Sequence, residues 1–181
     1  MVFAGKGSPM FGLFKKQPAG PAKPAGPASE FFRACNVYCR PEADQVIVAS
    51  VYNHGGLMAE KPGGASIVMF SDPAKLHDAV RAALDACEYE KNFNYSDQKR
   101  SDWPAYQASG YKTVKQFEAE FIRLLVKGVN EKNYFYEVTT PEFGEFGLHL
   151  TITVNAYSGN YGEAIQYIVK NFVACKAVAS S

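Results

Sequence analysis

The chain has no apolar run approaching the ~18 residues a membrane helix needs, so a helical membrane span is excluded. It also has little excess charge. Its 19 Lys and Arg stand against 18 Asp and Glu, a formal net charge of +1, and the dense basic field of a nucleic-acid binder is missing. Its histidines, His54, His77 and His149, have no spacing that selects a metal. Four cysteines, Cys35, Cys39, Cys87 and Cys175, include one close pair, with no second pair or His cluster to complete a tetrahedral site. Reduced, buried thiols are therefore expected in place of disulfides or zinc. The glycine-bearing "GKGSP" and "HGGL" lack the strand-to-helix context of a phosphate loop, and no serine sits in a nucleophile elbow. From these gaps we expect no catalytic residue, metal or cofactor, and a protein that is not an enzyme. The opening "MVFAGKGSPMFGLFKK" has too short an apolar segment for a secretory signal and no small-residue cleavage site after it, which points to the cytoplasm.

What is present divides into two parts. Residues 1 to 29 carry four lysines and no acid, a charge of +4, which leaves −3 on residues 30 to 181. Within the first part, "KKQPAGPAKPAGPASE" has no apolar period and cannot bury enough surface to offset its ordering entropy, so residues 1–28 read as a flexible leader. The few apolar residues of "MFGLFKK" are too few for stable membrane attachment. Residues 29–178 read as one domain, mildly acidic, which suits a protein partner of basic character better than nucleic acid.

Strands are predicted at about 34–40, 44–52 ("DQVIVASVY") and 65–70 ("ASIVMF"), with "NHGGLMAEKPGG" as a turn or mobile loop. Short links between three consecutive strands imply an antiparallel meander. "SDPAKLHDAVRAALDAC" changes period: Ser71 or Asp72 can cap it, Pro73 fits the first turn, and Leu76, Ala79, Val80, Ala83, Leu84 and Cys87 form one stripe. A second helix is predicted over "TVKQFEAEFIRLLVKG", with Thr113 and Gln116 as a capping box, Val114, Phe117, Phe121, Leu124 and Leu125 facing inward, and Gly128 ending it. Two strands follow, at about 133–139 and 146–156, joined by an acidic turn at Pro141 to Glu145. In the second of them Leu148, Leu150, Ile152, Val154 and Ala156 alternate with His149, Thr151, Thr153 and Asn155. A helix at about 160–175 closes the chain, with Ile165, Ile168, Val169 and Phe172 inward. The order βββ-α-α-ββ-α predicts an α+β fold, an antiparallel sheet of about five strands packed against three main helices.

"EYEKNFNYSDQKRSDWPAYQASGYK" has no clean periodicity but is rich in aromatics and acids. That mixture is what a protein-binding surface offers, and it also suits a loop packed over the core. Candidate contacts are Glu88, Glu90, Asp97, Asp102, Trp103 and Tyr106, with Glu142 and Glu145 as a second acidic group. A competing reading is a small enzyme or ligand-binding domain, with His54 reaching His149 on the polar face of the sheet and Glu137 or Glu145 orienting it. A third is an adaptor tethered through "MFGLFKK".

The ordering from about residue 30 to 175 resembles the immunity proteins of contact-dependent growth inhibition systems. The similarity lies in "MFGLFKK" ahead of a short aromatic-led strand, a two-strand opening with a Gly-rich turn, the "DPAKLHDAVRAALDAC" helix, "SGYKTVKQFEAEF" and the closing "GLHLTITV". The resemblance implies a cytoplasmic non-enzyme that binds the C-terminal toxin domain of a delivered effector, commonly a nuclease, and blocks its active site or substrate path. It supplies no residue-by-residue contact map, so the contact candidates rest on charge and aromatic chemistry alone.

Overall fold

The structure is a computed structural model that describes residues 33–54, 57–90, 94, 99–130, 132–139, 151–157 and 159–179. Its strands are β1 (Ala34–Arg40), β2 (Gln45–His54), β3 (Leu57–Met69), the two-residue β4 (Glu88–Tyr89), β5 (Ile122–Gly128), β6 (Asn133–Thr139) and β7 (Thr151–Tyr157). Its helices are α1 (Pro73–Asp85), α2 (Pro104–Ser109), α3 (Val114–Glu120) and α4 (Tyr161–Ala179). The strands lie in the order β3-β2-β1-β5-β6-β7, every neighbouring pair antiparallel, and β4 runs parallel to β2. Two meanders, β3-β2-β1 and β5-β6-β7, are therefore joined edge to edge through β1 and β5. The expected α+β fold is observed, with six strands in the main path.

Period-2 alternation sends each strand's residues to opposite faces, and helices cover both. On the first face Cys35, Val37, Cys39, Val46, Val48, Leu124, Val126, Tyr136 and Val138 pack against α1 and α4, which contribute Leu76, Val80, Leu84, Ile165, Ile168, Val169 and Phe172. Asp72 caps α1 by accepting from the Lys75 backbone N–H at 3.0 Å, with Pro73 in its first turn. That hydrogen bond holds the Asp72 carboxyl below its ordinary value. The two helices approach closely at Gly162, where any Cβ would collide with the Pro73 carbonyl oxygen. On the second face a smaller cluster of Tyr38, Ile47, Ala49, Ala105, Phe117 and Phe121 lies under α2 and α3. The helices leave part of this face open, so Ile67 and Met69 on β3 and Phe135 on β6 are exposed.

Two expectations are corrected. The second helix ends at Glu120, and residues 122–128 form β5 at the centre of the sheet. Phe117, Phe121, Leu124 and Leu125 do fit a helical stripe, but Ile122, Leu124 and Val126 also alternate with Arg123, Leu125 and Lys127. Pairing with both β1 and β6 satisfies the strand reading from two sides, and tertiary context overrides local propensity. Thr113 does cap the shortened helix, accepting from Gln116 N at 3.2 Å. The second correction concerns "NHGGLMAEKPGG". Most of it lies within β3, which starts at Leu57 and carries a bulge opposite Ser50, between the pairs Val51↔Glu60 and Ala49↔Ala65. Gly63 takes φ +69°, and a Cβ on Gly64 would strike the Ser50 hydroxyl, so the bulge needs its glycines.

Candidate functional site

The bulge puts Glu60 on the second face, beneath α2. It is 4% exposed, and three donors converge on its carboxylate. Tyr38 Oη donates to Oε1 at 2.5 Å, Asn36 Nδ2 donates to Oε1 at 3.1 Å, and the Ala105 backbone N–H donates to Oε2 at 2.9 Å. An isolated buried carboxylate would be costly, so convergent donors are what permit it there. Burial first, and then the charge of Glu60, push the Tyr38 hydroxyl well above its ordinary value and keep it a donor. The network thereby ties β1, β3 and the start of α2 together.

Above it lies a half-open cavity of about 220 Å³. Glu60 and Asn36 form its buried end, Trp103 and Met58 its walls, and Arg100 and Arg123 its exposed rim. Arg123 Nη2 donates to Asn36 Oδ1 at 3.3 Å, and Arg100 meets Glu118 at 3.5 Å with its side chain 70% exposed. Both contacts are long, and the exposed ion pair holds Arg100 only weakly. Trp103, the chain's one tryptophan, is half-buried between the 3₁₀ turn Arg100–Asp102 and α2.

The structure divides the contact candidates between the two faces. Asp102 is exposed and accepts from Lys99 N at 3.1 Å, which closes the turn before Trp103. Tyr106, half-buried, sets its ring edge-on to Phe117 at 6.0 Å and so belongs to the second core. Glu88 lies on the α1 side. It pairs with Lys61 at 2.8 Å, and Lys61 Nζ also donates to the Ala86 carbonyl at the end of α1. Glu90 is half-buried, and its carbonyl accepts from His54 Nδ1 at 2.7 Å. Asp97, Glu142, Glu145 and His149 lie outside the described residues, and so does the acidic turn. Glu137 stands on the open part of the sheet, lining a second cavity with Lys127, Phe135 and Thr153. His77 accepts from the Tyr161 backbone N–H at 3.2 Å and stacks on its ring, a structural role at the start of α4.

Of the thiols, Cys35 and Cys39 are buried as expected, and burial pushes both far above the ordinary thiol value. Cys87 is half-buried and Cys175 is exposed, which corrects the expectation of four buried thiols. Cys175 sits in the last turns of α4, three residues past the buried Phe172. Among the described residues, no group of three or more His, Cys, Asp or Glu is placed to hold a metal ion, and no helix is long and apolar enough to cross a membrane.

Sequence reasoning did not find the Glu60 network. The available signal is "CNVYC": with Cys35, Val37 and Cys39 on one face, Asn36 and Tyr38 must share the other, and two polar side chains on the buried side of a central strand demand a partner.

No family model and no curated protein matches the chain. Among solved structures it is similar to the protein of unknown function NMB0488 from Neisseria meningitidis, at 14% identity and a TM-score of 0.51. The match covers 75% of this chain and 90% of that one. At that identity the likeness shows the fold alone.

Proposed function

We propose that the chain is an immunity protein of a contact-dependent growth inhibition system, a cytoplasmic non-enzyme that binds and neutralises the C-terminal toxin domain of an effector, most simply a nuclease. The observation that carries this reading is Trp103. It is a large aromatic left half-buried, mounted on a segment fixed from below by the Glu60 network, with exposed Asp102 before it in the chain and exposed Arg100, itself paired to Glu118, lining the same cavity. A rigid aromatic anchor inside a charged rim is the anatomy of a binding hot spot. The charge of −3 over residues 30 to 181 favours a basic partner such as a phosphate-binding nuclease surface.

In this reading Trp103 supplies affinity and Asp102 supplies attraction and orientation. Tyr106 supports the segment from the core, and Glu88, on the α1 side of the sheet, contributes little to the same contact. The test is calorimetry with a C-terminal toxin domain of a contact-dependent growth inhibition effector as the candidate partner. Trp103→Ala should cost at least ~2 kcal/mol, about 30-fold in Kd, while Asp102→Asn chiefly slows association and weakens its salt dependence. Wild-type affinity in a folded Trp103→Ala protein would contradict the assignment.

A further inference from the structure

The cavity beneath Trp103 sets the buried Glu60 carboxylate against two arginines, and of these charges the proposed protein contact uses Arg100 alone. Its buried end is the Glu60 carboxylate, and its rim carries the Arg100 and Arg123 guanidinium groups. A carboxylate offers about four acceptor positions, and three of those on Glu60 are taken, two on Oε1 and one on Oε2. At the rim, the two arginines make long contacts to Asn36 and Glu118, which leave most of their ten N–H donors for another acceptor. Between the two ends stand the apolar surfaces of Trp103 and Met58.

We propose that this cavity binds a small zwitterion of the α-amino acid type. The ammonium group donates to the remaining acceptor position of Glu60, the carboxylate meets Arg100 and Arg123, and an aliphatic side chain lies against Trp103 and Met58. A simple anion would leave the buried carboxylate unmatched and repelled. A simple cation would face two guanidinium groups on entry. A two-ended ligand complements both, and charge-assisted contacts at each end are the strong class of hydrogen bond. A cavity of about 220 Å³ has room for one of the smaller aliphatic amino acids.

The single tryptophan makes the test specific, because Trp103 is itself a wall of the site. The full-length chain is titrated with L-valine and L-leucine while indole emission is followed, with N-acetyl-L-valine, L-valinamide and isobutyrate as one-ended controls. The expected result is saturation with a Kd below ~1 mM and a loss of about 10-fold or more for each control. Arg123→Gln should weaken L-valine by about 10-fold and reduce its advantage over L-valinamide. Glu60→Gln, with folding checked by circular dichroism, should abolish the advantage over N-acetyl-L-valine. No saturable response from either amino acid up to ~10 mM, or equal binding of any one-ended control, overturns the proposal. If Glu60→Gln fails to fold, the exposed Arg123→Gln still decides. The titration needs no toxin, so its failure and that of the immunity reading are separable.

Discussion

Replacing Glu60 by alanine tests the network that holds the site in place. The substitution removes the acceptor of three donors, Tyr38 Oη, Asn36 Nδ2 and Ala105 N. A buried donor left without a partner costs ~1–3 kcal/mol. The adjoining cavity lets water reach the vacated position, so the low end applies, and the three together come to about 3 kcal/mol. For a chain of this size that is a fall in Tm of roughly 6–12 °C. Glu60→Gln keeps one acceptor oxygen but turns an NH₂ toward donors, and should lose about 1–2 kcal/mol. Urea denaturation followed by Trp103 emission reads both, and the slope should match wild type because the surface exposed on unfolding is unchanged. A loss under ~1 kcal/mol for Glu60→Ala would refute the reasoning, since it would mean that the three donors are equally well satisfied by water and that Glu60 does not fix α2.

Other outcomes follow from the same structure. Gly162→Ala forces α1 and α4 apart at the Pro73 carbonyl and should cost ~3 kcal/mol or more in thermal melts; a neutral effect would place that helix crossing elsewhere. Tyr136 has a buried hydroxyl with no hydrogen-bond partner among the described residues, so Tyr136→Phe should leave stability unchanged or raise it by up to ~1 kcal/mol, and a clear loss would reveal a partner. Cys35 and Cys39 ionise far above the unfolded thiol value of 9.0, and Tyr38 above 10.0. The unfolded chain therefore releases these protons first, so their stabilising contribution is complete at neutral pH and falls as pH rises above about 9. Tyr38→Phe should flatten the part of that decline above about pH 10, and an unchanged alkaline limb would contradict it. In native protein a thiol reagent should modify Cys175 rapidly, Cys87 more slowly and the two buried thiols only on unfolding, as peptide mapping will show.

The sequence made the first-face core legible because its signals repeat. The stripe Leu76, Ala79, Val80, Ala83, Leu84, Cys87 and the stripe Ile165, Ile168, Val169, Phe172 each have one period, a clear start and a single core-facing side, and all of these residues are buried except the half-buried Ala79 and Cys87. In the last predicted strand Ile152, Val154 and Ala156 pack on the core while Thr153 and Asn155 are exposed, as the alternation requires, and Leu148 and Leu150 lie outside the described residues. The strand β5 was not, because "FIRLLVKG" satisfies both periods and only the edges of β1 and β6 decide between them. The site was legible in part. Trp103 and Asp102 stood out by composition, but Glu60 is separated from Asn36 and Tyr38 by more than twenty residues and reaches them through a bulge. Such a partnership is set by register, which a local pattern does not carry. For the same reason Glu88 looked like a neighbour of Asp102 in sequence while its ion pair lies on the α1 side of the sheet.

Under the proposed function, this chain neutralises a toxin domain by occupying it. The measurement to make is the nuclease activity of a candidate effector's C-terminal toxin domain, titrated with the purified full-length chain. The account predicts a linear loss of activity that reaches zero at one equivalent, as a nanomolar or tighter complex of about −12 kcal/mol requires, and a shift to excess when Trp103→Ala replaces wild type. Full toxin activity in the presence of excess folded wild-type chain would contradict it.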